Sequence, residues 1–204
     1  MFKRALGTLA AAAVLVFVGG GCASTSGAAS ADAAPAEAAV TEVPGTLPEG
    51  AAAQWDFNGK PTDKITTSYQ TFADDLVIPG ISGSTGASLT LSAGSETKYL
   101  SEPDTFLSFN NKDSVTLENI ATTAKASFTL KLDDAGTISI EISGNGDGDS
   151  SRIVAVADES GATLAAKGSL TKTPHETLTI ENAPAGTYTI YCNGSRLHKV
   201  TVYK

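Results

Sequence analysis

Cysteine is nearly missing from this chain of 204 residues: there are two, at positions 22 and 192. Two such distant cysteines cannot build a disulfide framework, so the fold has to rest on its core. Basic clusters are missing as well. After Arg4 no run of Lys or Arg could track a phosphate backbone, and 22 acidic against 14 basic residues leave a net charge of -8, which excludes a nucleic-acid binder. No HExxH, GxSxG or paired-cysteine zinc spacing occurs, so zinc hydrolysis and serine-nucleophile chemistry have no motif to stand on. From Trp55 onward no window of 11 or more residues carries a 3.6-residue apolar repeat. Without crossover helices a parallel βαβ fold is excluded, and with no internal repeat of about 20 residues so is a β-helix.

What is present begins with a targeting segment. Lys3 and Arg4 precede an apolar run from Ala5 to Val18, then Gly19, Gly20 and Gly21 lead to Cys22. That is the order of a secretory signal, and its apolar run is shorter than the ~20 residues a spanning helix needs. The Gly19–Cys22 junction resembles the lipobox of bacterial lipoproteins, although Gly19 replaces the usual aliphatic residue. The resemblance implies removal of residues 1–21 and acylation of Cys22 with palmitate-type chains. Such chains bind a bilayer at ~0.8 kcal/mol per buried methylene and would be the membrane contact. It also implies a place in the bacterial cell envelope, at the outer membrane or cell surface, an address with which Ala23 agrees. Loss of Lys3 and Arg4 takes the charge from -8 to -10.

Residues 22–53 are read as the acylated cysteine and a tether. Ala, Ser, Thr, Gly, Pro and Glu dominate, and such a composition cannot offset its ordering entropy. Residues 54–204 are read as one all-β domain, an antiparallel β-sandwich of jelly-roll type. Phe128, Leu130 and Leu132 alternate with polar residues, as do Ile138, Ile140 and Ile142, which is the pattern of half-buried strands. Asp133-Asp134-Ala135-Gly136 between them predicts a hairpin turn. Two more hairpins are predicted across Asp158–Gly161 and Asn193–Arg196.

A Trp-x-Phe opening (Trp55, Phe57), the strand Gly136–Ser143, the loop Gly144–Arg152 and the stretch Ala185–Tyr203 together resemble a jelly-roll accessory domain found beside pectate lyases. The resemblance implies non-catalytic binding of a carbohydrate, a polysaccharide or cell-envelope glycan. The competing readings are a structural surface lipoprotein or adhesin with a protein partner, and a glycan-degrading hydrolase or lyase. The oligomeric state is left open.

Four groups of residues are candidates for contact with a ligand. Asn145, Asp147 and Asp149 stand at alternate positions, the spacing of a calcium loop, although Ser150 and Val156 occupy positions where a helix-flanked loop has Gly and Glu. The bland alternative is a polar turn. Arg152 either holds a uronate carboxylate in a bidentate fork or pairs with a neighbouring acid. Trp55, with Phe57 on the same face, is either a stacking platform or core. Tyr191 lies on the face opposite Tyr188, Ile190 and Cys192, so burial of that apolar set would expose it for stacking. Cys192 is read as a small buried hydrophobe, His175 as solvated and His198 as a core or rim histidine.

Overall fold

The computed structural model describes residues 44–57, 75–93, 97–100, 106–109, 114–124 and 126–204. Cys22, the signal segment and the tether up to residue 43 lie outside the described residues. In chain order the strands are β1 (Ala51–Asp56), β2 (Leu76–Ile78), β3 (Ala87–Ala93), β4 (Thr97–Leu100), β5 (Phe106–Phe109), β6 (Ala126–Leu132), β7 (Gly136–Gly144), β8 (Ile153–Ala157), β9 (Thr163–Lys167), β10 (Glu176–Ala183), β11 (Gly186–Asn193) and β12 (Ser195–Tyr203). A single turn of helix, α1 (Ile120–Thr123), is the one helix among the described residues. No helix among them is long and apolar enough to cross a membrane.

The strands form two antiparallel sheets of six. Sheet I runs β10-β7-β12-β5-β4, with β1 also paired to β12; sheet II runs β2-β3-β6-β11-β8-β9. The chain is an all-β antiparallel sandwich, and period-two alternation is what closes it. Ile138, Ile140 and Ile142 of β7, with Leu197, Val200 and Val202 of β12, face Phe128, Leu130, Tyr188, Ile190, Val154 and Val156 from sheet II in one buried cluster. Each large apolar side chain removed from water in this way contributes about 1.5–3 kcal/mol. Cys192 belongs to the same cluster, and burial pushes its thiol far above the ordinary range.

Two sequence expectations change. The folded region begins before residue 54: Ala53 is fully buried, Ala51 pairs with Tyr203, and the Lys204 amide donates to the Gly50 carbonyl. Alanines carry little apolar area, so their burial cannot be read from composition. The turn at Asp158–Gly161 joins two paired strands, β8 and β9, as expected. The other two predicted hairpins are instead arches between the sheets. β6 lies in sheet II and β7 in sheet I, and β11 and β12 are divided in the same way. Alternation tells which face of a strand is buried, and both a hairpin and an arch across the ~10 Å between sheets call for Asp, Asn and Gly.

Candidate functional site

The loop between β7 and β8 is built around Arg152. Its Nε donates to Asn145 Oδ1 at 3.2 Å, and its Nη1 donates to the Asp147 carbonyl. Gly146 permits this, since a Cβ there would lie 2.9 Å from the guanidinium carbon. Asp149 Oδ1 accepts from the Ser151 amide at 2.8 Å and from the Ser151 hydroxyl at 2.6 Å, and Asn193 Nδ2 donates to the Ser151 carbonyl at 2.6 Å. The structure therefore turns Asn145 toward Arg152 and Asp149 toward Ser151, and not toward a shared cation centre. Arg152 is the loop's own cation and is spent on holding it. Among the described residues no group of three or more His, Cys, Asp or Glu is placed to hold a metal ion.

The same turn chemistry makes the fold sensitive to acid. The Ser151 hydroxyl, with its amide, holds the Asp149 carboxyl below the usual range, and the Ser160 hydroxyl, with nearby amides, does so for Asp158. Both folded values lie below the unfolded one near 4, so the stabilisation is complete above that pH and is lost as pH falls through the folded values. Thermal melts between pH 5 and pH 2 are expected to fall less steeply for an Asp149→Asn/Asp158→Asn double variant. Equal slopes would show that neither carboxylate contributes.

Trp55 is a correction to the candidate set. It is 2% exposed, packs in the main core and donates from Nε1 to the Ile78 carbonyl at 3.0 Å, so no sugar ring can reach it. Phe57 beside it is fully buried, its ring centroid 6.3 Å from that of Phe128. Tyr191 does lie on the outer face of sheet II, yet it is only half exposed. The segment ending in α1 lays Val115 and Ile120 over Ile153 and Ala155, and Tyr191 packs at the edge of that satellite cluster. The cover comes from residues more than 60 positions away, which strand alternation does not register.

The rest of that outer face is hydroxyl-rich. Strand register sets Thr90 beside Thr129 and Thr129 beside Thr189 in one row, Ser88, Lys131 and Thr187 in a second, and Ser127 beside Tyr191 in a third. Ser92 joins them, its hydroxyl 2.5 Å from that of Thr129. These outward positions on β3, β6 and β11 carry eight hydroxyl groups, one lysine and no carboxylate. In a chain with 22 acidic residues this is a surface free of negative charge with a single cation, and the sheet supplies its spacing: about 4.8 Å between strands and about 6.8 Å along them.

Sequence reasoning missed a second cluster, on the outer face of sheet I. His175 and His198 stack with centroids 3.9 Å apart and planes 21° apart. His198 is fully buried with Nε2 2.9 Å from the Ser143 hydroxyl, while His175 Nδ1 is 2.8 Å from Glu141 Oε1. Lys199 bridges Glu141 at 3.9 Å and Asp56 at 3.5 Å. Stacked rings do not aim their nitrogens at one point, and Ser143 is fully buried, so neither metal binding nor nucleophilic attack follows from this geometry. One extra residue in β12 between Leu197 and Lys199 puts His198 there, and nothing in the local sequence marks that bulge.

No protein-family model matches the chain, and no curated protein matches it. Among solved structures one titled "BiXyn10A CBM1 APO" is similar at 10% identity and a TM-score of 0.33, over 76% of this chain and 99% of its own. A likeness that distant does not place the chain in a family.

Proposed function

We propose that this chain is a lipid-anchored, non-catalytic binding protein, and that its ligand is an extended, neutral carbohydrate lying on the outer face of sheet II. The observation that carries the reading is the carboxylate-free array of hydroxyls on β3, β6 and β11, with the Tyr191 ring at its end. Hydroxyls both donate and accept, as sugar hydroxyls do, and a rigid sheet presents them without the entropy of ordering loops. An acidic glycan fits poorly: Lys131 is the one cation among these positions, and the chain repels polyanions overall. A protein partner is a weaker fit. Among the described residues the exposed large apolar side chains are Val77 on β2, Leu117 before α1 and Leu164 on β9, which stand apart in the fold. The anchor rests on the lipobox-like residues Gly19–Cys22.

Co-sedimentation of the Cys22→Ser chain, which stays free of acyl groups, with cellulose, chitin and xylan tests the reading. The parent is expected to be retained on at least one of them. A Thr129→Val/Thr189→Val variant keeps side-chain shape and strand preference but removes two central hydroxyls, and should bind about tenfold more weakly. Failure of the parent on every polymer, or unchanged retention of the variant, rejects the sheet face as the site.

A further inference from the structure

The outer face of sheet I carries a depression of about 280 Å³ at the end where β7 begins and β10 and β12 finish, lined by Ala135, Gly136, Thr137, Asn182, Tyr203 and Lys204. Its shape follows from a break in strand pairing. β10 loses register with β7 between Ile180 and Ala183, and within that bulge Asn182 adopts the left-handed backbone, φ 53°, that side-chain-bearing residues rarely occupy. The bulge takes the end of β10 out of regular pairing beside Gly136. Gly136 itself has to be glycine, since a Cβ there would stand 2.5 Å from the Tyr203 carbonyl. The bulge leaves room on the outer face, while Gly136, on the inward row with Ile138, lets the Tyr203 main chain lie close against β7.

Into that room face one aromatic ring and a few polar groups. Tyr203 pairs with Thr137 across the two strands, which sets its ring beside the Thr137 hydroxyl on the outer face. Asn182, exposed in the bulge at the end of β10, adds an amide-bearing residue to the lining. The Lys204 ammonium is held 2.7 Å from Asp134 Oδ2, so its charge is already offset. A site with one ring, one amide, one hydroxyl and a neutralised cation selects for a neutral ligand with an apolar face and a rim of hydroxyls. The volume lies just under the ~300–1,000 Å³ of sites for drug-sized ligands, which suits one ring and not a chain.

We infer that this depression is a second binding site, taking a single pyranose unit such as a chain end, stacked on Tyr203 and oriented by Asn182 and Thr137. It lies on the opposite sheet from the hydroxyl face and does not depend on that face being a site. Two sites on one anchored chain would also raise avidity for a branched or multi-chain glycan without any new contact.

Saturation-transfer NMR and titration of the full chain in detergent, with glucose, galactose, mannose, xylose and N-acetylglucosamine as separate probes, test this. Binding of at least one sugar is expected, with protein shifts centred on Thr137, Asn182 and Tyr203. Tyr203→Leu keeps an apolar side chain but removes the ring, and should weaken binding about tenfold. Asn182→Gly keeps the left-handed backbone without the amide and should weaken it as well, so that loss in both variants cannot be assigned to misfolding at one position. The Thr129→Val/Thr189→Val variant should bind the monosaccharide as the parent does. Absence of binding to all five sugars, or unchanged affinity in both the Tyr203 and Asn182 variants, overturns the proposal. Loss of binding in the sheet II variant instead would place the site on the other face.

Discussion

Trp55→Ala is expected to destabilise the protein by about 3–5 kcal/mol, the range for emptying a large aromatic site in a core. Trp55 is 2% exposed, sits opposite Val200 in the pairing of β1 with β12 and belongs to the main core cluster, so the core residues packed on it would face the cavity. Its indole also donates to the Ile78 carbonyl at 3.0 Å, and that acceptor would lose its partner. Trp55→Phe, which loses the donor and part of the volume, should cost less. Urea unfolding followed by circular dichroism measures both, because the variants lack the chain's one tryptophan. Folded Trp55→Phe protein should retain polysaccharides as the parent does. Loss of retention with an unchanged unfolding midpoint would return Trp55 to the ligand surface.

Gly144→Ala should be about as damaging, for a different reason. The Gly144 amide donates to the Thr171 carbonyl at 2.7 Å, which brings the end of β7 against residues 170 and 171 main chain to main chain. A Cβ on Gly144 would fall 2.6 Å from the Leu170 carbonyl carbon and 3.0 Å from the Thr171 nitrogen, with the Leu170 oxygen closer still. Backbone cannot rotate out of the way as a side chain can, so the strand or the loop has to move, at a cost of about 3 kcal/mol or more. Gly161→Ala is the control. Gly161 has φ +84° and nothing within 4 Å of a Cβ, so alanine there brings only left-handed strain of about 1–2 kcal/mol. A Gly144→Ala midpoint above that of Gly161→Ala would contradict the close packing of β7 on residues 170–171.

The inward faces of the strands were readable along the chain. Ile138, Ile140 and Ile142 are all fully buried, and Leu130, Ile190 and Val200 are as well. The turn positions were equally plain, but their meaning was not. Asp133–Gly136 and Asn193–Arg196 carry hairpin chemistry and yet pass the chain from one sheet to the other, because turn residues report a reversal and not the partner reached by it. The same gap separates the candidate residues from their surroundings. Alternation put Tyr191 outward correctly, and only the distant Val115 and Ile120 decided that it is half covered. Arg152 was legible as an arginine beside acids and amides, whereas its engagement by Asn145 and the Asp147 carbonyl depended on the folded loop.

Scarcity of cysteine, basic clusters and helical periodicity in the sequence already pointed to an all-β chain held by its own apolar core. A period of two is a local property, and it suffices to say which side of each strand is dry. That β6 and β7, like β11 and β12, part into different sheets, where β10 and β12 bulge, how His175 meets His198 and how Tyr203 and Asn182 come to line one depression were decided by the tertiary structure alone. The two bulged pairings and the two side-chain meetings join residues more than 20 positions apart, set by register and sheet stacking, which leave no mark on either segment by itself.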